Sequence, residues 1–256
     1  MSSFSICRII GNELPPRDSP GTKLKCLKYI LDTENLKNAH KVWIINQIIN
    51  DDYKSKIYEV LKNEKEVYEI AFDYKLYKNK KTWNEKVKYA VNINSARNFG
   101  IKLCQKKFDY VACLDQDCYF WPEQWNEIIQ NIKNDSSPKN HYGLISKRFH
   151  FNFIPKSIND LIDEEPMIIF NKNANLLFDE SIKFGDNEKN ELLWRLKIKN
   201  YDFIDKKKCV GYVMHVGFGN EIIETNVHER VKARKKGLEN LLNEIEKKYL
   251  KKRKFL

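Results

Sequence analysis

Residues 94–120 read NSARNFGIKLCQKKFDYVACLDQDCYF, and this stretch decides the fold. Its first half repeats apolar residues at helical spacing, and its second half is a short apolar strand. The strand ends in two carboxylates one residue apart, Asp115 and Asp117. Two like charges this close repel each other unless a cation lies between them. The end of this strand is therefore interpreted either as a cation site or as a solvated turn.

Upstream of this stretch, apolar β-branched runs alternate with helical patterns. This alternation predicts an α/β domain with a mainly parallel, Rossmann-like central sheet and helices on both faces. A cap for the third helix is expected at Asn94 or Ser95, and residues 75–92 have no clear pattern. The predicted strands are 3–10, 41–49, 66–74 and 109–115, and the predicted helices are 24–31, 53–64 and 94–108.

The second half of the chain has a different order of elements. Helical patterns occur at 121–132 and 187–201, and apolar runs predict strands at 141–154, 165–178 and 203–220. Strands and helices therefore no longer alternate regularly, and the sequence predicts a mixed second half attached to the parallel first half.

Polar side chains follow several of the predicted strands. Ligands bind α/β sheets beyond the carboxyl ends of the strands, which places Gly11, Asn12 and residues 46–52 beside the two aspartates. Side chains at positions i and i+2 of a strand point the same way, so Asp115 and Asp117 can face one point. Because Mg²⁺ and Mn²⁺ prefer oxygen ligands and retain substrate phosphates, the pattern favours a metal bound to a diphosphate.

The same stretch resembles the core of the GT-A fold nucleotide-sugar glycosyltransferases. The likeness is to the large inverting family that builds polysaccharides and lipopolysaccharides, and the opening CRIIGNELPPRD is similar to virus-encoded and bacterial relatives. Members carry an ARN-x-G-I helix and then a strand that ends in a DxD-type motif. The matching residues are Ala96, Arg97, Asn98, Gly100 and Ile101 in the helix, and Leu114, Asp115 and Asp117 in the strand.

The resemblance implies a role for each part of this edge. It makes Asp117 a direct ligand of Mn²⁺ or Mg²⁺, and Asp115 a contact of either the donor ribose or the metal. The donor is a nucleotide sugar, with a UDP-sugar as the first choice. The residues that it assigns to the nucleotide are Ile9, Gly11, Asn12, Asn46, Asp51, Arg97 and Asn98. The family's second strand commonly ends in an aspartate, but here Asn46 comes first and Asp51 and Asp52 later, so their roles stay open.

The family's catalytic base precedes a helix, and FGDNEKNELLWRL at 184–196 resembles that segment. A carboxylate there takes the proton of the acceptor hydroxyl in inverting transfer. The candidates, in order, are Glu188, Asp186 and Glu191. The family's second acid aligns with Lys189, which is a departure. Acids at a helix start also simply complement the helix dipole.

A late histidine is the further metal ligand that the resemblance implies. His215 lies between apolar residues in VMHVGFGN at 213–220, after the candidate base. The competing interpretation is a hydrogen-bonded histidine of the core.

The formal charge of +11 lies mainly in the tail. Residues 227–256 carry eleven Lys and Arg against four Glu, a net of +7, which leaves +4 for residues 1–226. We therefore predict a catalytic domain at 1–226 and a basic amphipathic helix at 227–256. The helix either lies on an anionic membrane surface or docks on the domain. Its apolar stripe is Leu238, Leu241, Leu242, Ile245 and Tyr249.

The function expected from these patterns is metal-dependent, inverting transfer of a sugar to a hydroxyl of a glycan or glycolipid. The alternatives are another Mg²⁺-dependent nucleotidyl or phosphoryl transferase and a basic nucleic-acid-binding protein. A nucleic-acid partner is disfavoured because the positive charge is concentrated in the tail and the strand ends carry acids. A P-loop NTPase is disfavoured because the sequence has no GxxxxGK[ST] loop. The N-terminus lacks a signal-peptide pattern and the six cysteines form no CxxC pair, so we expect a cytoplasmic protein, with peripheral placement at a membrane as an extension.

Overall fold

Eight strands of the described residues pair into one sheet. The structure is a computed structural model that describes residues 2–150, 158, 161–200, 203–217 and 226–253. The strands are β1 (Phe4–Ile10), β2 (His40–Asn46), β3 (Val67–Ile70), β4 (Tyr110–Asp115), β5 (Cys118–Tyr119), β6 (His141–His150), β7 (Ile162–Asn171) and β8 (Cys209–Gly217). Their order in the sheet is β3-β2-β1-β4-β7-β6-β8-β5. The first four are mutually parallel, whereas β7 runs antiparallel to both β4 and β6.

Helices cover both faces of this sheet. They are α1 (Thr22–Thr33), α2 (Asp51–Val60), α3 (Tyr74–Lys78), α4 (Trp83–Val91), α5 (Ile93–Gln105), α6 (Pro122–Lys133), α7 (Asn190–Arg195) and α8 (Val227–Arg253). Helices α1, α2 and α6 pack on the face that carries Ile6, Ile10 and Leu114. Helices α5 and α7 pack on the face that carries Cys7 and Cys113. The predicted α/β class, with a Rossmann-like sheet, helices on both faces and a mixed second half, is confirmed.

Several boundaries differ from the predicted ones. Strand β2 ends at Asn46 because the next residue, Gln47, turns into the left-handed region at φ 49°. Residues 75–92, which had no clear pattern, contain α3 and α4. The helix predicted at 187–201 is limited to Asn190–Arg195. The predicted strand residues 151–154 and the predicted residues 218–220 lie outside the described residues.

Helix α5 begins earlier than the predicted cap. Its N-cap residue is Asn92, with φ 48°, and no side chain caps the helix there. The Asn94 side chain is used elsewhere, since it donates to the carbonyl oxygens of Asp179 and Glu188 at 2.8 and 2.9 Å. The helix therefore starts one residue before Asn94, which ties it to the segment that precedes α7.

Gly100 lets α5 approach the sheet closely. A Cβ atom at this position would lie 2.2 Å from the Cys7 sulfur and 3.2 Å from Ile44 Cγ1. Ordinary van der Waals contact needs more space, so only glycine fits without a shift of the helix. This contact gives a physical reason for the glycine of the ARN-x-G-I pattern.

We expect Gly100→Ala to lower the free energy of unfolding. Overpacking against β1 costs about 1–3 kcal/mol, even though alanine favours a helix. The double variant Gly100→Ala/Cys7→Ala removes the sulfur that the new methyl group meets, and we expect it to recover much of that loss. Urea unfolding of both single variants and the double variant measures the coupling energy. Strictly additive effects would show that the contact with Cys7 is not the cause.

Helix α8 docks on the domain through its apolar stripe. Leu238, Leu241, Leu242 and Ile245 are buried together with Leu14, Ile49, Tyr77 and Val87. A Cβ atom at Gly237 would lie 2.4 Å from the Leu14 carbonyl oxygen, so the helix backbone lies close to the loop after β1. The stripe is therefore used by the fold and does not form a free apolar face. The division at residue 227 stays a prediction.

Among the described residues, every helix is too short or too polar to cross a bilayer. The described cysteines are free thiols, and all except Cys209 are buried.

Candidate functional site

A cavity of about 890 Å³ lies at the carboxyl ends of β1, β2 and β4 and extends to β7 and β8. It is built from segments that are far apart in sequence, because parallel strands bring their carboxyl ends to one edge. The predicted site residues that line it are Ile9, Gly11, Asn12, Asn46, Arg97, Asp115, Asp117, Glu188 and His215. Four predicted residues do not line it, namely Asp51, Asn98, Asp186 and Glu191.

Asp115 is held between two cations. Its Oδ1 accepts a hydrogen bond from Arg97 Nη2 at 2.7 Å, and its Oδ2 lies 3.8 Å from Lys189 Nζ. The loss of hydration favours the neutral acid, but the charges of Arg97 and Lys189 outweigh it and hold the pKa of Asp115 below its usual value. Lys189 therefore offsets part of the charge of Asp115, the first of the two strand-end aspartates.

Asp117 contacts His215, and His215 in turn contacts Glu164. The distances are 3.2 Å from Nε2 to Asp117 Oδ2 and 2.6 Å from Nδ1 to Glu164 Oε2. The register of the sheet causes this contact, because Cys118 of β5 pairs with His215 of β8. Glu164 also accepts a hydrogen bond from Arg148 at 2.7 Å. His215 is thus a bridge between two carboxylates.

The two carboxylates change the ionisation of the imidazole. Loss of hydration lowers the pKa of His215, but the charges of Asp117 and Glu164 outweigh it and raise the pKa to about 10. Loss of hydration raises the pKa of the Asp117 and Glu164 carboxyls. The charge of His215 outweighs this effect and holds both pKa values well below the usual range. The imidazole is therefore a cation at neutral pH.

This raised pKa makes stability depend on pH. A group whose pKa is higher in the folded state stabilises fully below its unfolded value, near 6.5, and the contribution is lost as pH rises towards 10. Between pH 7.5 and 9.5 we expect the free energy of unfolding to fall more steeply in the wild type than in His215→Gln, by up to about 1.4 kcal/mol per pH unit. Urea unfolding across this range measures the difference. Parallel curves for the two proteins would contradict the assignment.

Side-chain amides join the strand ends to one another. Gln116 Oε1 accepts a hydrogen bond from the Gly11 backbone N–H at 3.2 Å, and the side chain lines the cavity. Asn12 donates to the Gln47 carbonyl oxygen at 2.9 Å and accepts from the Ile49 N–H at 2.8 Å. Gln116, which lies between the two strand-end aspartates, thus fixes the end of β1.

Asn46 is also engaged with the protein. Its side chain donates to the carbonyl oxygen of Val91 at 2.7 Å, and its Oδ1 lies 3.5 Å from Asn92 Nδ2. Asn12 and Asn46 therefore shape the nucleotide end of the predicted site, and part of their hydrogen-bonding capacity is already used.

The candidate bases differ in position. Glu188 lines the cavity, and its Oε2 accepts a hydrogen bond from the Gly185 N–H at 2.9 Å. Asp186 forms an ion pair with Lys183, and Glu191 forms one with Arg195, within the same segment. The structure thus brings only the first of the three candidates to the strand-end acids.

Two further predicted residues serve the fold. Asn98 is buried, donates to the Phe178 carbonyl oxygen at 2.9 Å and accepts from the Phe178 N–H at 3.1 Å. Asp51 starts α2 and lies 2.8 Å from Lys248 Nζ on α8. Neither residue lines the cavity, so the structure does not bring them to the site where contact with the nucleotide was predicted.

Sequence reasoning missed two adjacent acids at the start of β7. Glu164 contacts His215, while Glu165 lies 3.5 Å from Lys189 and accepts from Asn190 at 2.9 Å. The acidic run IDEEP directly before the apolar MIIF was the available signal. Reading the strand from 165 onwards left Glu164 out.

The donor types present fit a divalent metal ion. Asp117 and Glu164 supply two carboxylates, and His215, which contacts both of them, supplies an imidazole; these are ligand types that Mn²⁺ accepts. Within the described part of the chain, however, no three such side chains surround a common point. The side chains therefore fit a metal ion by ligand type and not by their arrangement. His215 would also have to lose its proton to become a ligand. Asp115, bound by Arg97 and Lys189, fits a ligand role less well.

The lining of the cavity carries a net positive charge. Nine lysines and arginines and seven aspartates and glutamates line it, in addition to the protonated His215. Most of the acids lie against a basic partner, as Asp163 does with Lys206 at 2.9 Å. An excess of cations at strand ends suits an anionic ligand.

No protein-family model matches this sequence, and no curated protein matches it. Among solved structures, S. aureus TarS 1-349 in complex with UDP is similar at a TM-score of 0.47 and 13% identity, covering 84% of this chain and 60% of that chain. The 4-diphosphocytidyl-2C-methyl-D-erythritol synthase from Anaerococcus prevotii DSM 20548 is similar at 0.41 and 14%, covering 91% and 95%. A Desulfovibrio desulfuricans G20 protein, described as a nucleotide-diphospho-sugar transferase, is similar at 0.41 and 11%, covering 96% and 98%.

The class of protein follows from the sheet and the cavity themselves, namely a Rossmann-like α/β protein with a charged site at its strand ends.

Proposed function

We propose that this protein is a glycosyltransferase that moves a sugar from a nucleotide-diphosphate donor to a hydroxyl of a glycan or glycolipid. One observation carries the proposal. A single cavity brings together Arg97, Asp115 and Asp117 of the DxD-type stretch with Glu188 and His215, which are far away in sequence. The cavity also has the net positive charge that a nucleotide diphosphate would complement.

The nucleoside of the donor, a UDP-sugar as first choice, would lie at the ends of β1 and β2. Gly11, Asn12 and Asn46 line the cavity there, and Ile9 supplies an apolar wall. Arg97 acts through Asp115, because its guanidinium fixes the carboxylate by a hydrogen bond and an ion pair. Asp115 would then contact the ribose. Its two cationic neighbours disfavour metal binding by this carboxylate more than they disfavour a hydrogen bond to the ribose.

Asp117, with His215 and Glu164, would hold Mn²⁺ or Mg²⁺. Such an ion, when bound, neutralises the charge that develops on the leaving diphosphate. The protein's own contribution is to orient these side chains, since Arg148 holds Glu164 and the pairing of β5 with β8 holds His215 beside Asp117.

Glu188 would accept the proton of the acceptor hydroxyl as that oxygen attacks the sugar, which gives an inverting reaction. The Gly185 N–H donates to Oε2 of this carboxylate, so Oε1 is the oxygen that would take the proton of the hydroxyl. The acceptor would therefore approach from the side of residues 184–188.

A donor screen tests the proposal. The purified chain is mixed with UDP-, GDP-, CMP- and TDP-sugars, with Mn²⁺ or with EDTA, and calorimetry and donor hydrolysis are measured. We expect saturable, metal-dependent binding of at least one donor. Nucleoside triphosphates are included because a nucleotidyltransferase would release pyrophosphate from them. Absence of any metal-dependent response to nucleotide diphosphates would defeat the proposal.

An acceptor at a membrane would place the enzyme at the inner face of that membrane, in contact with anionic lipid. Because the apolar stripe of α8 is buried, such contact would use its basic side chains, among them Lys247. Co-sedimentation with anionic and neutral vesicles at low and high salt measures it. Equal binding to both vesicle types would count against an electrostatic contact.

A further inference from the structure

Three arginines from two distant segments line the cavity beside residues 184–188. Arg17 comes from the loop after β1, and Arg230 and Arg234 come from the first half of α8. The two residues of α8 are four positions apart, so they share one face of the helix. The tail that holds most of the chain's positive charge thus contributes to the site itself.

One aromatic ring holds two of these arginines. The Arg17 guanidinium carbon lies 5.5 Å from the centre of the Phe184 ring, and that of Arg234 lies 5.2 Å from it. Arg234 Nη1 also lies 3.4 Å from the Gly185 carbonyl oxygen. Cation–π contact offsets part of the cost of placing two cations on one ring.

The charges of this cluster are only partly balanced. Arg17 pairs with Asp18 at 3.0 Å, and Asp18 also lies 3.3 Å from Lys23. Within the described ranges, neither Arg230 nor Arg234 has a carboxylate oxygen within ion-pair distance, and Arg234 Nε is buried without a hydrogen-bond partner. Burial, followed by repulsion from Arg17 and Arg230, lowers the pKa of Arg234, although the charge of Glu188 opposes the shift. A bound anion would relieve this repulsion.

We propose that Arg17, Arg230 and Arg234 bind a phosphate group carried by the acceptor. Guanidinium groups match phosphate oxygens through paired hydrogen bonds, and three of them from two segments form a cradle. The location favours the acceptor, because Arg234 contacts Gly185, whose N–H donates to Glu188. The assignment to the acceptor rests on the proposed function, whereas the phosphate chemistry of the cluster does not.

Inorganic phosphate is the first probe. Its affinity for the full chain is measured by calorimetry at constant ionic strength for wild type, Arg230→Gln, Arg234→Gln and Lys232→Gln. We expect each arginine variant to bind phosphate about tenfold more weakly or worse, because a charge-assisted hydrogen bond is lost. Lys232 is the matched control, since it lies on the same helix, pairs with Glu229 at 2.9 Å and is 74% exposed.

Arg230→Gln keeps the test informative if Arg234→Gln unfolds, because Arg234 also contacts Phe184 and Gly185. Thermal unfolding of each variant checks this. Equal phosphate affinity in wild type and Arg230→Gln, or an equal loss in Lys232→Gln, would overturn the site.

UDP is the second probe and separates the two sources of phosphate. An acceptor site predicts that UDP-saturated protein still binds inorganic phosphate and that the arginine variants keep wild-type affinity for UDP. If phosphate fails to bind the UDP complex and the variants lose UDP affinity, the cluster serves the donor diphosphate and the acceptor assignment is wrong. Arginine-dependent phosphate binding without any nucleotide binding would reject the proposed function and leave the phosphate site standing.

Discussion

Replacing Asp117 by asparagine is expected to lower the rate of sugar transfer or donor hydrolysis by about 10²–10³-fold. The substitution keeps the shape of the side chain but removes the charge that a metal ion needs. It also removes one of the two carboxylates beside His215. Initial rates with the preferred donor and Mn²⁺ measure the loss. A rate near that of the wild type would show that the reaction does not need the Asp117 carboxylate.

The His215 ring supplies a second readout that does not require turnover. Asp117 and Glu164 together raise its pKa to about 10, so removal of one of them should lower that pKa. Titration of the imidazole by NMR in wild type and Asp117→Asn measures the change. Asp52→Asn is the matched control, because Asp52 is 75% exposed on α2 and pairs only with the neighbouring Lys56 at 2.6 Å among the described residues. An unchanged His215 pKa in Asp117→Asn would show that the two groups do not interact in solution.

Replacing Glu188 by glutamine is expected to lower kcat by about 10²–10⁴-fold, with a smaller change in KM. Glutamine can still accept the hydrogen bond from the Gly185 N–H, but it cannot take up a proton. The loss should therefore appear in the chemical step. Steady-state kinetics with donor and acceptor, measured across pH, separate this effect from a loss of binding.

Two neighbouring acids serve as controls for that variant. Asp186 and Glu191 lie in the same segment but form ion pairs with Lys183 and Arg195 and do not line the cavity. We expect Asp186→Asn and Glu191→Gln to retain rates close to that of the wild type. If either of them loses more activity than Glu188→Gln, the assignment of the base moves to that residue.

The sequence predicted best those helices and strands whose apolar periodicity and end signals lie entirely within their own residues. β1, β4 and α5 combine a clear apolar period with flanking turn or polar residues, and all three form at their expected places, although α5 begins before its predicted cap. Helices α3 and α4 were missed because their apolar residues are few in a basic stretch. Both helices bury apolar residues in the same cluster as α8, in which Tyr77, Val87 and Ala90 lie with Leu241. A contact of that kind is not visible in a local window.

The site shows the same division. The sequence located the strand-end acids because a clear apolar strand precedes them, and the resemblance to a known family pointed to the segment with the candidate bases. It also singled out Lys189 as a departure, yet without a structural reason. The partner of Lys189 is Asp115, and the partner of His215 on its other side is Glu164. Neither pairing follows from any spacing along the chain.

By itself the sequence determined an α/β sheet, the edge at which a ligand would bind and a minority of the charged groups at that edge. The tertiary structure decided which charges face each other: Arg97 and Lys189 on Asp115, His215 between Asp117 and Glu164, and the arginines of α8 beside Phe184. The physical reason is that helix and strand periodicity act over a few residues. Electrostatic interactions act through space between segments that the fold brings together, and they set the ionisation of each group.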